Sequence, residues 1–132
     1  MLPHRPPFLF VTRIISIDPE KGASAEYDVP HDLPILQGHF PGYPILPGVI
    51  VLEMLAQTGA LAVLSREEFR GKLAYLAGIE SARFRRPVRP GDTLRADIVL
   101  ESMRLGVGRA RGRVTMGGEE VASATILFAI QK

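Results

Sequence analysis

A histidine in a loop clamped by glycine and proline, then a helix start, then one acid inside an apolar run: these residues define the chemistry open to the chain. The segment reads Gly38-His39-Phe40-Pro41-Gly42-Tyr43-Pro44-Ile45-Leu46-Pro47-Gly48, and Glu53 follows shortly after. Gly38 and Gly42 permit backbone conformations closed to other residues, while Pro41 and Pro44 restrict the loop, so an imidazole can be presented rigidly. Alone, His39 would read as a hydrogen-bonded loop histidine; its setting makes it a candidate base. His4 and His31 sit in polar or proline-flanked stretches and read as surface or capping groups.

Glu53 stands among Val51, Leu52, Met54 and Leu55. A bare buried charge is very costly, so this carboxyl must be protonated, paired or opened to a cleft. It is either an acid at a helix edge or subunit interface, or a general acid that desolvation keeps protonated near neutrality. Gln57 lies four residues on, on the same helical face, where it can orient Glu53 or cap a backbone group. Gly48 falls in the first turn of the helix, where its N–H lacks an intrahelical partner and meets the positive end of the dipole. A carbonyl oxygen placed there would be stabilised as it gained negative charge. From Gly48 to Glu53 is roughly 7–8 Å along a helix axis, so a short substrate could meet both.

These parts fit the elimination of water from a β-hydroxy thioester. That reaction needs a base for the α proton, an electrophile for the enolate-like oxygen and an acid for the departing hydroxyl. His39, the Gly48 N–H and Glu53 supply one of each, with no cofactor or metal required. No phosphate-binding glycine loop, metal-ligand cluster or nucleophilic serine elbow occurs elsewhere.

The elements that must hold these residues follow from pattern. Phe8 to Val11 is expected as a short helix or strand. Arg13 to Asp18 and Ala23 to Val29 should form a hairpin about Pro19-Glu20-Lys21-Gly22. Residues 30 to 47, with five prolines, form a long loop of the kind that is usually functional. The helix begins near Pro47, is apolar on every face and is therefore buried nearly all round, with Gly71 as its expected end. Leu73 to Phe84 is a strand with a bulge expected at Gly78. Leu94, Ala96, Ile98 and Leu100 alternate with Arg95, Asp97, Val99 and Glu101, as a half-buried strand does. Gly106 and Gly108 mark a tight connection, and Ala110, Gly112, Val114 and Met116 face inward beyond it. Gly117-Gly118 is a hairpin turn, followed by an inward row of Ala122, Ala124, Ile126, Phe128 and Ile130. An antiparallel sheet wrapped around one long buried central helix is an α+β, single-domain hot-dog fold spanning residues 1–132.

Composition bounds the rest. The 132 residues are 46% hydrophobic and 23% charged, which is a globular balance. With no cysteine, disulfides and thiolate zinc sites are excluded, and a reducing compartment fits. Met1 to Pro7 lacks a basic region leading into an apolar core, and Val49 to Leu64 is too short to span a bilayer comfortably and carries Glu53 and Gln57. A soluble cytoplasmic protein without membrane insertion is expected. The net charge of +2 is uneven: residues 83 to 113 hold nine arginines against Asp92, Asp97 and Glu101. Without a nucleic-acid-binding motif, that basic stretch points to an acidic protein partner rather than nucleic acid.

The residues resemble one family closely. Leu2-Pro3-His4-Arg5-Pro6-Pro7-Phe8-Leu9, the loop 38–49, Glu53-Met54-Leu55-Ala56-Gln57, Tyr75-Leu76-Ala77-Gly78-Ile79, Arg83-Phe84-Arg85-Arg86-Pro87-Val88 and Pro90-Gly91-Asp92 look like the bacterial (3R)-hydroxyacyl-[acyl carrier protein] dehydratases of the FabZ type. The resemblance implies reversible dehydration to the trans-2-enoyl carrier protein in type II fatty-acid elongation. It implies homodimers with two shared active sites, His39 of one subunit facing Glu53 of the other, often assembled as a trimer of dimers. It implies an apolar tunnel for the acyl chain and a phosphopantetheine arm delivered by acidic acyl carrier protein. Tyr75 and Phe84 correspond to residues that gate or line the tunnel, and are otherwise plain core aromatics. Arg83, Arg85, Arg86 and Arg89 are candidate carrier-protein contacts, or else a solvated charged face.

Thr12 stands where the family usually has an acid, which would loosen an ion pair near Arg13. Glutamate at position 53, where the FabA-type dehydratase-isomerases typically carry aspartate, favours simple dehydration. An acyl-thioester hydrolase and a carrier-protein or acyl-chain binding module are the rival readings on this fold.

Overall fold

The alternating stretches of sequence become six strands: β1 (Arg13–Asp18), β2 (Gly22–Asp28), β3 (Ala74–Phe84), β4 (Thr93–Arg104), β5 (Val107–Met116) and β6 (Glu119–Ile130). They join in one antiparallel sheet of order β1-β2-β4-β5-β6-β3. One helix, α1 (Gly48–Leu64), touches every strand. A computed structural model describes residues 2, 5–6, 8–37, 39 and 42–131; His4, Gly38, Phe40 and Pro41, and Pro3 and Pro7 of the N-terminal motif, lie outside the described residues.

Side-chain period explains the enclosure. Leu94, Ala96, Ile98, Ala110, Val114 and the row Ala122 to Ile130 are buried on the inner face, as a period of two requires. Against them α1 buries Val51, Leu52, Met54, Leu55 and Leu61. Each large apolar side chain buried there contributes about 1.5–3 kcal/mol. The helix is open on one stripe only: Val49 is 69% exposed, and Glu53 and Ala56 are half-buried. Positions i, i+4 and i+7 share a helical face, so the one acid of α1 lies where the sheet does not cover it.

Three local expectations are corrected. Phe8 to Val11 is neither helix nor strand: its backbone turns to meet Gln57, and Phe10 is buried edge-on between Phe8 and Tyr27. The helix ends at Leu64, not Gly71. Ser65 Oγ donates to the Ala62 carbonyl at 2.6 Å, Arg66 turns to extended backbone, and Glu67–Phe69 form a separate 3-10 turn. Gly108 lies inside β5, because the Phe128 ring occupies the space a side chain would need; the turn falls on Leu105-Gly106. At Gly78 the β3–β6 register shifts, as a bulge there demands. Among the described residues no helix is long and apolar enough to cross a membrane.

Candidate active site

His39 is held at three points. Its N–H donates to the Leu36 carbonyl at 3.3 Å, and its carbonyl accepts from the Ile45 N–H at 2.7 Å. Its ring Nδ1 lies 2.9 Å from the Ile45 carbonyl oxygen. A carbonyl can only accept, so Nδ1 carries a proton, and the tautomer that can act as a base has its basic nitrogen at Nε2. The half-buried imidazole lines a cavity of about 560 Å³ together with Gly48, Val49, Phe84, Arg85 and Arg86.

Gly48 opens α1 behind Pro47, which provides no side-chain cap. As a first-turn N–H it has no acceptor within the helix. A Cβ at Gly48 would lie 2.8 Å from Phe84 Cε1, so the ring closes directly over the helix start. Phe84, itself half open to solvent, thus forms one wall of the His39 cavity from β3.

Glu53 opens elsewhere. It lines a cavity of about 260 Å³ with Ala56, Tyr75, Leu76 and Phe128. Within one chain His39 and Glu53 therefore face different cavities, with Phe84 walling the first and Tyr75 the second. The fully buried Gln57 hydrogen-bonds the acid: its amide donates to Glu53 Oε2 at 3.0 Å and to the Phe8 carbonyl at 2.9 Å, while its oxygen accepts the Phe10 N–H at 2.8 Å. Reversing the amide would aim its oxygen at two acceptors, so this orientation is the only one that satisfies the group.

The arginines divide. Arg85 pairs with Glu120 at 2.7 Å and Arg86 with Glu119, both on the rim of the His39 cavity. Arg83 is exposed on β3. Arg89 instead donates to the Tyr43 hydroxyl, a contact that no sequence signal announced. Farther along the basic stretch, Arg95 pairs with Asp97, Arg109 with Glu80 and Glu101, and Arg111 with Glu101. Exposed pairs of this kind are weak and screened by solvent, so the rim guanidiniums can exchange partners readily.

At Thr12 the structure supplies a different answer from an acid. Its hydroxyl accepts the Asp28 N–H at 2.9 Å, and Arg13 pairs with both Glu26 and Asp28. Hydrogen bonds from Arg13 and then Thr93 hold the Asp28 carboxyl below its ordinary value. Burial pushes the Tyr27 hydroxyl up. Among the described residues no group of three or more His, Asp or Glu could hold a metal ion.

A sheet enclosing one long helix, with a loop histidine at the helix start and an oriented acid farther along it, defines a hot-dog protein. The same fold is seen in the dehydratase heterocomplex ApeI:P from Xenorhabdus doucetiae, at a TM-score of 0.84 and 22% identity over 99% of this chain and 88% of that one. It is seen again in a sigma28-regulated virulence protein from Campylobacter jejuni, at a TM-score of 0.73 and 14% identity over 98% and 90%. The chain belongs to the FabA-like family, whose domain matches residues 2–125. It is 52% identical over 130 residues to the 3-hydroxyacyl-[acyl-carrier-protein] dehydratase FabZ of Chloroflexus aggregans, covering 98% of this chain and 90% of that one. The corresponding dehydratase of Pelotomaculum thermopropionicum is 49% identical over 131 residues, 99% and 94% of the two chains.

Proposed function

We propose that the chain is one dehydratase domain over residues 1–132, converting (3R)-3-hydroxyacyl-[acyl carrier protein] reversibly to the trans-2-enoyl form in bacterial fatty-acid synthesis. His39 Nε2 removes the α proton, and the Gly48 N–H stabilises the enolate-like thioester oxygen. Glu53 then protonates the β-hydroxyl, which leaves as water with its bonding electrons while the C=C bond forms. The observation that carries this reading is the Ile45 carbonyl on His39 Nδ1, which keeps the basic nitrogen of the neutral ring at Nε2.

Because His39 and Glu53 line different cavities of one chain, each site is completed by a second subunit. Supporting this, β3 is a long edge strand with Tyr75, Ile79 and Phe84 exposed, a surface that proteins rarely leave uncovered. A two-fold dimer places the His39 half-site of each subunit against the Glu53 half-site of its partner, and three such dimers form the hexamer. Tyr75 and Phe84 then line an acyl tunnel between the half-sites, and Gln57 orients Glu53. Arg83, Arg85 and Arg86 receive the acidic carrier protein at the mouth of the His39 cavity. The cytoplasm is the setting for that partner.

Hydration of a crotonyl thioester by the purified protein tests the reaction: the conjugated absorbance should fall with no thiol released. Thiol release would make the protein a hydrolase, and binding without either product would make it a carrier or acyl-chain binding module.

A further inference from the structure

Tyr43, on the loop that carries His39, meets Arg89. The Arg89 guanidinium donates to the Tyr43 hydroxyl, and its carbon lies 5.2 Å from the ring centroid. Arg89 is itself anchored: its N–H donates to Asp92 Oδ2 at 2.8 Å, and its carbonyl accepts the Asp92 N–H at 3.1 Å. The preceding residue, Val88, is buried, and its carbonyl accepts the Leu46 N–H at 2.7 Å. The connection between β3 and β4 therefore grips the loop at Tyr43 and at Leu46, on either side of Ile45. The Ile45 carbonyl is the group that holds the His39 ring.

We propose that Arg89 and Tyr43 form a clasp that fixes the Ile45 carbonyl and, through it, the orientation of the His39 imidazole. Both are positioning residues for the dehydration, and the inference rests on His39 as its base. Arg89 then acts inside the subunit rather than as a docking point for carrier protein. Tyr43 is half exposed, so the clasp is worth a modest factor: a stacked cation plus one hydrogen bond corresponds to a rate loss of about 3- to 10-fold.

The test compares Arg89→Ala, Tyr43→Phe and the double variant on crotonyl-pantetheine and on crotonyl carrier protein. Alongside, the His39 Nδ1–H resonance is followed by NMR, identified by its loss in His39→Ala. A clasp lowers kcat on both substrates with little change in KM, makes the double variant no worse than the poorer single one, and broadens the Nδ1–H signal. A defect confined to KM for carrier protein, additive losses or an unaltered signal overturns it. Should the wild-type protein hydrate neither substrate, the assignment of His39 as base falls, and the NMR comparison still decides the clasp.

Discussion

Gln57 donates to the Glu53 carboxyl at 3.0 Å while its oxygen accepts the N–H of Phe10, 47 residues earlier in the chain. One buried amide thus couples the candidate acid to the entry of the polypeptide into the core. Replacing it by leucine keeps apolar volume but removes the acceptor of a buried N–H, which costs about 1–3 kcal/mol. Gln57→Leu should lower the urea midpoint and reduce kcat by at least about tenfold through a misdirected Glu53. A folded Gln57→Leu protein with full kcat would show that the amide does not position the acid.

The proposed sharing of sites across a two-fold dimer makes a specific statement about mixed subunits. His39→Ala and Glu53→Gln should each abolish most crotonyl hydration alone. Co-refolded in equal amounts, half of the dimers are mixed and each holds one intact site, restoring about a quarter of the wild-type rate. No recovery in verified mixed dimers would place both groups in the same subunit's site.

The close approach of Phe84 to Gly48 predicts a sharp response to one methyl group. A Cβ at position 48 meets the far end of a half-exposed ring at 2.8 Å, so the ring shifts and the fold survives. Gly48→Ala should leave the melting temperature within a few degrees but reduce kcat, since the helix start is no longer accessible in the same way. Phe84→Leu in the same chain should return part of the rate; rate measurements on the pair decide this.

Gly108→Ala should act on stability instead. Its Cβ would fall 2.2 Å from Phe128 Cζ, and that ring is only 4% exposed, so the packed ring itself has to shift. Overpacking of this kind costs about 1–3 kcal/mol, read as a lower denaturation midpoint.

Acid should weaken the β1–β2 ribbon through Asp28. Its folded carboxyl sits below the ordinary 3.8 because Arg13 and Thr93 donate to it. Below 3.8 the unfolded chain therefore binds the proton first, so the stabilisation is present above that pH and is lost as pH falls through the lowered value. Arg13→Ala should flatten the dependence of the urea midpoint on pH in this window. An unchanged acid limb would mean that the pair carries no linkage.

Much of the scaffold was legible because alternation is a local record of burial. The rows Leu94 to Ile98 and Ala122 to Ile130 face inward as their spacing requires, and Gly78 interrupts its strand where a bulge falls. The end of α1 was not legible, because Arg66 to Phe69 are acceptable helix formers; what stops the helix is the Ser65 bond to Ala62 and the reach of Arg66 to the Pro19 carbonyl at 2.8 Å. Phe8 to Val11 misled for the opposite reason. Its apolar run looks like an element, but the Phe8 carbonyl and the Phe10 N–H are satisfied by a side chain of α1 rather than by a ladder.

By itself the sequence determined the family, the sheet-and-helix architecture and the residue types available for proton transfer, since each is written in short-range pattern and motif. Tertiary structure alone decided that His39 and Glu53 open into separate cavities, that Gln57 ties the acid to Phe8 and Phe10, and that Arg89 holds Tyr43. The last two relations join groups more than forty residues apart. Which donors and acceptors then meet depends on how the sheet packs around its helix, and periodicity along a chain carries no record of that.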